Sequence, residues 1–156
     1  MDLQHALFTL ALDGHLALAP MQSTPKHVIN VATGTGIWAL DFGMYSVTWF
    51  LWGDYTCLPS LWGSAPENPA ACVIGTDLSM IQPTPKDVDV HNCEFIRDDA
   101  EEEWVFPNFT FDYVHIRAVA LAFQNPRAVL GNARKNLSPG GWVEYQDLDP
   151  TARSYD

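Results

Sequence analysis

The feature that most constrains the fold is a pair of glycines between an apolar run and a helical run near the start of the chain. Residues 26–32 have the β-branched, apolar character of a buried strand, and residues 37–42 are typical of the start of a helix. Between them lies a tight turn, in which Gly34 and Gly36 let the backbone approach a ligand closely. The N–H groups at the start of the following helix are free to bind a carboxylate or a phosphate. The segment therefore predicts a candidate binding site, although a glycine-rich turn in an unrelated α/β fold would show the same pattern.

Further apolar runs continue the alternation of strands with helices or loops. Strands are predicted at 72–76, 93–97, 111–116 and 142–146, and helices at 3–12 and 127–137. Because parallel strands need crossover connections, this order predicts a parallel sheet with helices on both faces. We therefore expect residues 1–156 to form a single domain, a three-layer αβα Rossmann-like sandwich.

The composition argues against several classes of protein. Apolar residues make up 47% of the 156 residues, which is too many for a disordered chain. The net charge of −11 argues against direct binding to nucleic acid, whose phosphates such a surface repels.

No apolar run reaches the roughly 18 residues of a membrane-spanning helix, and the N-terminal run lacks the basic residues of a signal peptide. Cys57, Cys72 and Cys93 lack the spacing of a zinc site. We expect a cytoplasmic or nuclear protein without a membrane partner or a metal.

Acidic residues follow the second and third predicted strands. Asp77 ends the second strand, where Rossmann-like sheets place a carboxylate that accepts hydrogen bonds from ribose hydroxyls. The alternative is a local cap formed by Asp77 and Ser79. Asp98 and Asp99 end the third strand, where a carboxylate would accept from the amino group of an adenine. A solvated acidic loop is the alternative there.

Two classes of Rossmann-like protein use such groups. Residues 34–39 match G-x-G-x-x-A, which favours an NAD-dependent oxidoreductase. In that fingerprint the acid follows about 20 residues later. Asp77 lies 41 residues after Gly36, so the spacing fits only if residues have been inserted. The Asp-Asp-Ala at 98–100 and the Pro-Gly-Gly at 139–141 favour a protein that binds S-adenosylmethionine (SAM), and the NAD-dependent enzyme stays the alternative.

Five segments occur in a fixed order along the chain. They are VINVATGTGIWALDF (28–42), VIGTDLS (73–79), DDAEEEW (98–104), FDYVHIRA (111–118) and LSPGGWVEYQD (137–147). Together they resemble the successive motifs of fungal SAM-dependent methyltransferases of the LaeA-like group, and they extend over most of the chain outside 44–65. The resemblance implies the class I SAM methyltransferase fold and transfer of a methyl group from SAM to an unidentified acceptor, either a small molecule or a protein. It also implies a role near secondary metabolism.

The resemblance further implies a cofactor-binding role for residues near the carboxyl ends of the strands. Residues 33–36 would lie beside the methionine part of SAM, Asp77 would bind the ribose, and Leu78 with residues 99–100 would contact the adenine. His115 and Arg117 would face the methyl group and the acceptor, which makes them the candidate catalytic residues; a core position is the alternative for His115. A general base is needed only where the acceptor must lose a proton. The implied cofactor-binding residues are Asn30, Thr33, Gly34, Thr35, Gly36, Asp77, Leu78, Asp98, Asp99, Ala100 and His115.

Two residues of the first motif depart from the pattern of that family. In that family the first strand usually ends in an acid, and here this position holds Asn30. The position of the first glycine of the loop holds Ala32. An amide lacks the negative charge that favours the ammonium group of SAM. The methyl group of Ala32 occupies a place where the backbone passes the ligand closely or takes a glycine-only conformation. Both changes predict weakened cofactor binding.

A tryptophan-rich segment at 44–65 separates the first two strands. Its removal would shorten the separation between Asn30 and Asp77 from 47 to 25 residues, which is similar to the family's connection. Because a structureless loop of about 20 residues is unusual inside a compact domain, we hypothesise that the segment is a translated intron; a surface loop is the alternative. Transcripts that always retain the segment would contradict the intron hypothesis.

By the same resemblance, family members carry an N-terminal segment that covers SAM and two further strands after the fifth. We therefore expect a sheet that is truncated after strand five. An inactive methyltransferase-like fragment or binding partner is the alternative function.

Overall fold

In the computed structural model, the chain forms a five-stranded parallel sheet with helices on both faces. The structure describes residues 2–21, 23–47, 71–84, 90, 92–106, 110–119 and 121–148. The strands are β1 (His27–Val31), β2 (Cys72–Asp77), β3 (Cys93–Arg97), β4 (Phe111–Arg117) and β5 (Leu137–Gln146). The helices are α1 (Asp2–Ala11), α2 (Ile37–Val47) and α3 (Pro126–Asn136).

The strand order is β3-β2-β1-β4-β5. Because this order reverses between β1 and β4, the crevice at the carboxyl ends of these strands is where such sheets bind ligands.

Two hydrophobic clusters cover the opposite faces of the sheet. Trp38 and Ala39 of α2 pack in one cluster, and Val129 and Ala133 of α3 pack in the other. Successive residues of a strand point to opposite faces of the sheet, so a strand that is covered on both faces is apolar throughout. Residues 28–31 of β1 follow this pattern, and Asn30 is the one polar residue among them. Within the described part of the chain, none of the helices combines the length and the apolar character that crossing a bilayer requires.

The predicted helices and strands are all present, and their ends differ most at two places. Helix α2 continues to Val47, so it extends into the predicted insertion at 44–65. Residues 48–65 of that insertion lie outside the described residues. Strand β5 begins at Leu137, five residues before the predicted start, because the residues between Leu137 and Trp142 form an irregularity of the β4–β5 ladder rather than a separate turn.

The β1–α2 turn contains three residues with left-handed backbone. The φ angles are 51° at Ala32, 60° at Gly34 and 80° at Gly36. Glycine adopts this conformation freely, whereas an L-residue with a Cβ is destabilised there by about 1–2 kcal/mol. The prediction that Ala32 stands where the chain needs a glycine conformation is therefore confirmed.

Replacing Ala32 by glycine is expected to raise the free energy of unfolding by up to about 1 kcal/mol, because it removes the strain of the left-handed alanine. Urea unfolding followed by circular dichroism measures the change. The matched control is Ala6→Gly in the exposed interior of α1, which is expected to lower the same free energy by about 1 kcal/mol. A loss of stability in Ala32→Gly would contradict the assignment of strain.

Candidate functional site

A carboxylate at the end of β2 holds the glycine turn that follows β1. Oδ2 of Asp77 accepts a hydrogen bond from the backbone N–H of Gly34 at 2.8 Å. Oδ1 accepts from the backbone N–H and the hydroxyl of Ser79 at 3.0 and 2.8 Å. The local cap that was the alternative for Asp77 is therefore present, and the role at the ribose stays a prediction. The side chain is half-buried, and a carboxylate has about four acceptor positions, so it retains capacity for a further donor.

Gln82 is a residue of this site that the sequence analysis missed. Its Nε2 donates to the carbonyl oxygens of Gly34 at 2.6 Å and Ser79 at 3.0 Å. Since Asp77 accepts from the N–H of Gly34, both polar backbone groups of this glycine are held by side chains. The loop that carries Gln82 has no motif, so only the fold reveals the contact.

Glycines also leave room beside the turn for an aromatic ring. A Cβ built on Gly36 would lie 2.4 Å from the ring of Phe95, and one built on Gly75 would lie 2.6 Å from it. Residue 75 is opposite Asn30 in the β1–β2 ladder, and Phe95 is opposite residue 75 in the next ladder. The ring of Phe95 therefore occupies the space that two missing side chains leave beneath the crevice.

The groups predicted at the adenine end have different environments. Leu78 is 62% exposed beside Asp77, so its side chain offers an apolar surface to a ligand. Asp98 is half-buried, and burial raises the pKa of its carboxyl, assisted by the charge of Asp99 and opposed by a hydrogen bond from the backbone of that residue. The backbone N–H of Asp98 donates to the carbonyl of Asp77 at 3.1 Å, which joins the ends of β2 and β3.

The next residues of this loop make hydrogen bonds and packing contacts within the protein. Oδ1 of Asp99 accepts from the N–H of Glu101 at 3.0 Å, and Ala100 belongs to the hydrophobic core. The carbonyl oxygen of Ala100 accepts from the indole of Trp104 at 3.0 Å and from the side chain of Asn132 at 3.2 Å. The side chain of Ala100 and its carbonyl therefore serve the core packing of this loop.

Asn30 and His115 form a buried pair between β1 and β4. Nδ2 of Asn30 lies 3.0 Å from Nδ1 of His115, and Oδ1 of Asn30 accepts from the hydroxyl of Thr33 at 2.5 Å. Because an amide nitrogen only donates, Nδ1 of His115 is the acceptor and the proton of the neutral ring is on Nε2. Asn30 thus connects the end of β1 to both β4 and the turn.

The imidazole of His115 is fully buried and stays neutral. Its ring stacks on Trp38 with 3.6 Å between centroids and 7° between planes. Burial lowers the pKa of His115 well below its ordinary value, and the positive charge of Arg117 adds to this effect; Gln146 acts in the opposite direction. This environment matches the core position that was the alternative for His115.

A cavity of about 70 Å³ opens between α1, the turn and the end of β4. Asn30, Thr33 and Thr35 line it from the side of the turn, His5 lines it from α1, and Arg117 lines it from β4. Gly34 and Gly36 belong to the same turn, so the structure brings together the residues that were predicted to lie beside the methionine part of SAM.

His5 is a second residue that the sequence analysis missed, and it connects three elements at this cavity. Nη2 of Arg117 donates to Nδ1 of His5 at 2.6 Å, and Nε2 of His5 lies 2.8 Å from Oδ2 of Asp41 in α2. Since a guanidinium only donates, Nδ1 accepts and Nε2 carries the proton that is donated to Asp41. The guanidinium also lies 5.2 Å from the ring centroid of Phe8 in α1. The one signal in the sequence was a histidine spaced three residues from a phenylalanine, which places both on one face of a helix.

Comparison with known proteins identifies the family. Residues 3–155 match the family described as Methyltransferase domain. Methyltransferase pytC of Aspergillus terreus is 32% identical over 148 residues, which cover 94% of this chain and 38% of pytC. The secondary metabolism regulator LAE1 of Cochliobolus heterostrophus is 28% identical over 161 residues, which cover 100% of this chain and 44% of LAE1. The chain thus spans about two-fifths of the length of these relatives.

Solved structures show the same fold. The glycopeptide N-methyltransferase MtfA, in its complex with SAM, superposes with a TM-score of 0.53 and 16% identity, over 90% of this chain and 52% of MtfA. At this identity the likeness shows the fold alone, and it confirms the predicted Rossmann-like αβα class. The match over nearly the whole chain and the LaeA-type relatives confirm the resemblance on which the sequence analysis relied. The chain therefore belongs to the methyltransferase domain family, in its class I, LaeA-like group.

Proposed function

We propose that this chain forms the SAM-binding part of a methyltransferase that transfers a methyl group to a small-molecule or protein acceptor. The proposal rests on the hydrogen bond from the N–H of Gly34 to the carboxylate of Asp77, at the carboxyl ends of β1 and β2. It places a half-buried carboxylate beside a turn in which two left-handed glycines leave the backbone without a side chain at their positions. Family membership argues for SAM and against the NAD-dependent alternative.

The residues present fit the parts of SAM one by one. Asp77 retains an acceptor position for a ribose hydroxyl, and the exposed side chain of Leu78 offers an apolar surface for the adenine. The cavity of about 70 Å³ is too small for a nucleoside and suits only the amino-acid end, so the nucleoside would lie along the open part of the crevice. We therefore assign Asp77 to the ribose and the cavity beside Arg117 to the methionine part.

The role of the protein in the reaction is placement. SAM, when bound, supplies the methyl group on a sulfonium whose positive charge disappears on transfer. Asp77 would fix the ribose, and the turn would set the position of the neighbouring chain atoms, which are the functions that lower the barrier of such a transfer. His115 is sealed between Asn30 and Trp38, so we assign it to holding the turn rather than to removing a proton from the acceptor.

A non-catalytic fragment or binding partner is the second candidate function, because Asn30 and the left-handed Ala32 both depart from the family's first motif. The cytoplasmic or nuclear location, and the expectation of no nucleic-acid, membrane or metal partner, stay predictions.

Isothermal titration calorimetry with SAM, S-adenosylhomocysteine and NAD tests the proposed function. We expect the first two ligands to bind and NAD to give no heat. In Asp77→Asn, both affinities are expected to fall about tenfold or more, since a hydrogen bond to a charged group contributes about 1.5–3 kcal/mol. Asp112→Asn is the matched control, because that carboxylate accepts backbone hydrogen bonds at the opposite end of the sheet and should leave the affinity unchanged. Binding of NAD alone, or of none of the three ligands by folded protein, would refute the proposal.

The stability of the protein is expected to fall in mild acid because of His115. Its pKa is lowered in the folded state, so the unfolded chain binds this proton first, near the ordinary pKa of about 6.5. The free energy of unfolding should therefore fall as the pH drops below about 6.5, by up to about 1.4 kcal/mol per pH unit from this group. Urea unfolding between pH 5 and pH 8 measures the slope.

In His115→Gln that part of the slope should disappear, whereas the exposed His15→Gln control should keep it. An unchanged slope in His115→Gln would show that the imidazole is not held neutral.

A further inference from the structure

Asn30 stands where the resemblance predicts an acid, and its amide forms hydrogen bonds within the protein. The amide nitrogen lies 3.0 Å from Nδ1 of His115 and 3.4 Å from its carbonyl oxygen, so both hydrogens have acceptors. The amide oxygen accepts from Thr33. Asn30 is 3% exposed and carries no charge. The end of β1 therefore offers nothing to hold an ammonium group as an ion pair.

Arg117 places a positive charge at the wall of the cavity. Its guanidinium is half-buried at the cavity wall, and its contact with His5 is to a neutral nitrogen. Among the described residues, no carboxylate forms a salt bridge with it; Asp41 is separated from it by His5 and acts on it only through its charge. A guanidinium has five N–H donors, so donors remain for a ligand.

The hydroxyl groups of the cavity wall already donate to groups of the protein. The hydroxyl of Thr33 donates to Asn30, and that of Thr35 donates to Asp2. Ile37, the first residue of α2, also lines the cavity, so the positive end of the helix dipole adds to the charge of Arg117. An anionic group of the size of a carboxylate fits this charge and this volume.

We propose that Arg117 binds the carboxylate of the methionine part of SAM, so that this chain recognises the amino-acid end of its cofactor by the carboxylate rather than by the ammonium group. The inference rests on the proposed function, since it concerns the same site. It makes Arg117 a residue that determines specificity for adenosyl ligands with a carboxylate over those without one.

Calorimetry with three adenosyl thioethers tests the inference: S-adenosylhomocysteine, its decarboxylated analogue and its deaminated analogue. We expect the loss of the carboxylate to weaken binding about tenfold or more, and the loss of the ammonium group to change the affinity less than threefold. In Arg117→Gln, S-adenosylhomocysteine should bind as weakly as the decarboxylated analogue. Arg134→Gln is the matched control, because Arg134 lies in the last turn of α3 with an exposed side chain.

The outcomes separate the inference from the function on which it rests. If folded wild-type protein does not bind S-adenosylhomocysteine, the proposed function fails and this inference fails with it. If that ligand binds but the deaminated analogue loses more affinity than the decarboxylated one, only the inference is overturned. The comparison of ligands on the wild-type protein decides this even if Arg117→Gln unfolds, and Arg117→Lys should retain part of the preference for a carboxylate.

Discussion

The hydrogen bond between Asn30 and His115 is the contact on which the arrangement of the crevice depends. These residues are opposite each other in the β1–β4 ladder, at the place where the strand order reverses. Through the hydroxyl of Thr33 the same amide holds the turn, and through its stacking on Trp38 the imidazole holds the first turn of α2. One donor and one acceptor thus join two strands, a turn and a helix. Because both groups are buried, separating them would leave unpaired polar atoms in the core, at a cost of about 1–3 kcal/mol each.

The charge state of this pair explains why an amide is stable at a position where the resemblance predicts an acid. A buried carboxylate beside Nδ1 of His115 would favour the protonated ring, and the two would form an ion pair with a large desolvation cost. Arg117 lies close enough to lower the pKa of the imidazole further, so a protonated ring would also be repelled. With Asn30 and a neutral His115, the core contains neither a buried carboxylate nor a protonated imidazole at this place. An acid at this position would therefore interact first with His115, not with a ligand.

The sequence predicted the features that are determined by residues close together in the chain or by the position of a residue at the end of a strand. The apolar strands, the carboxylate of Asp77 at the end of β2 and the conformational demand on Ala32 are all of this kind, because each follows from local chemistry. The contacts of His5 join residues 36 and 112 positions apart, and Gln82 reaches a glycine 48 positions away. No local pattern encodes such contacts. The neutrality of His115 likewise required the register that places it opposite Asn30.

The two residues that we propose bind the ligand differ from Glu144 and Asn30 in how far their polar groups are satisfied within the protein. Glu144, next to His115 in the β4–β5 ladder, accepts from the hydroxyl of Tyr113 and from the backbone N–H groups of Leu18 and Ala19, and thereby holds the segment that follows α1 against the sheet. Its acceptors are used within the protein, as is the amide of Asn30. Asp77 and Arg117 differ, because each retains unused acceptors or donors. They lie on opposite sides of the β1–α2 turn, so a ligand that is polar at both ends and crosses the turn would engage one with hydroxyl groups and the other with an anion.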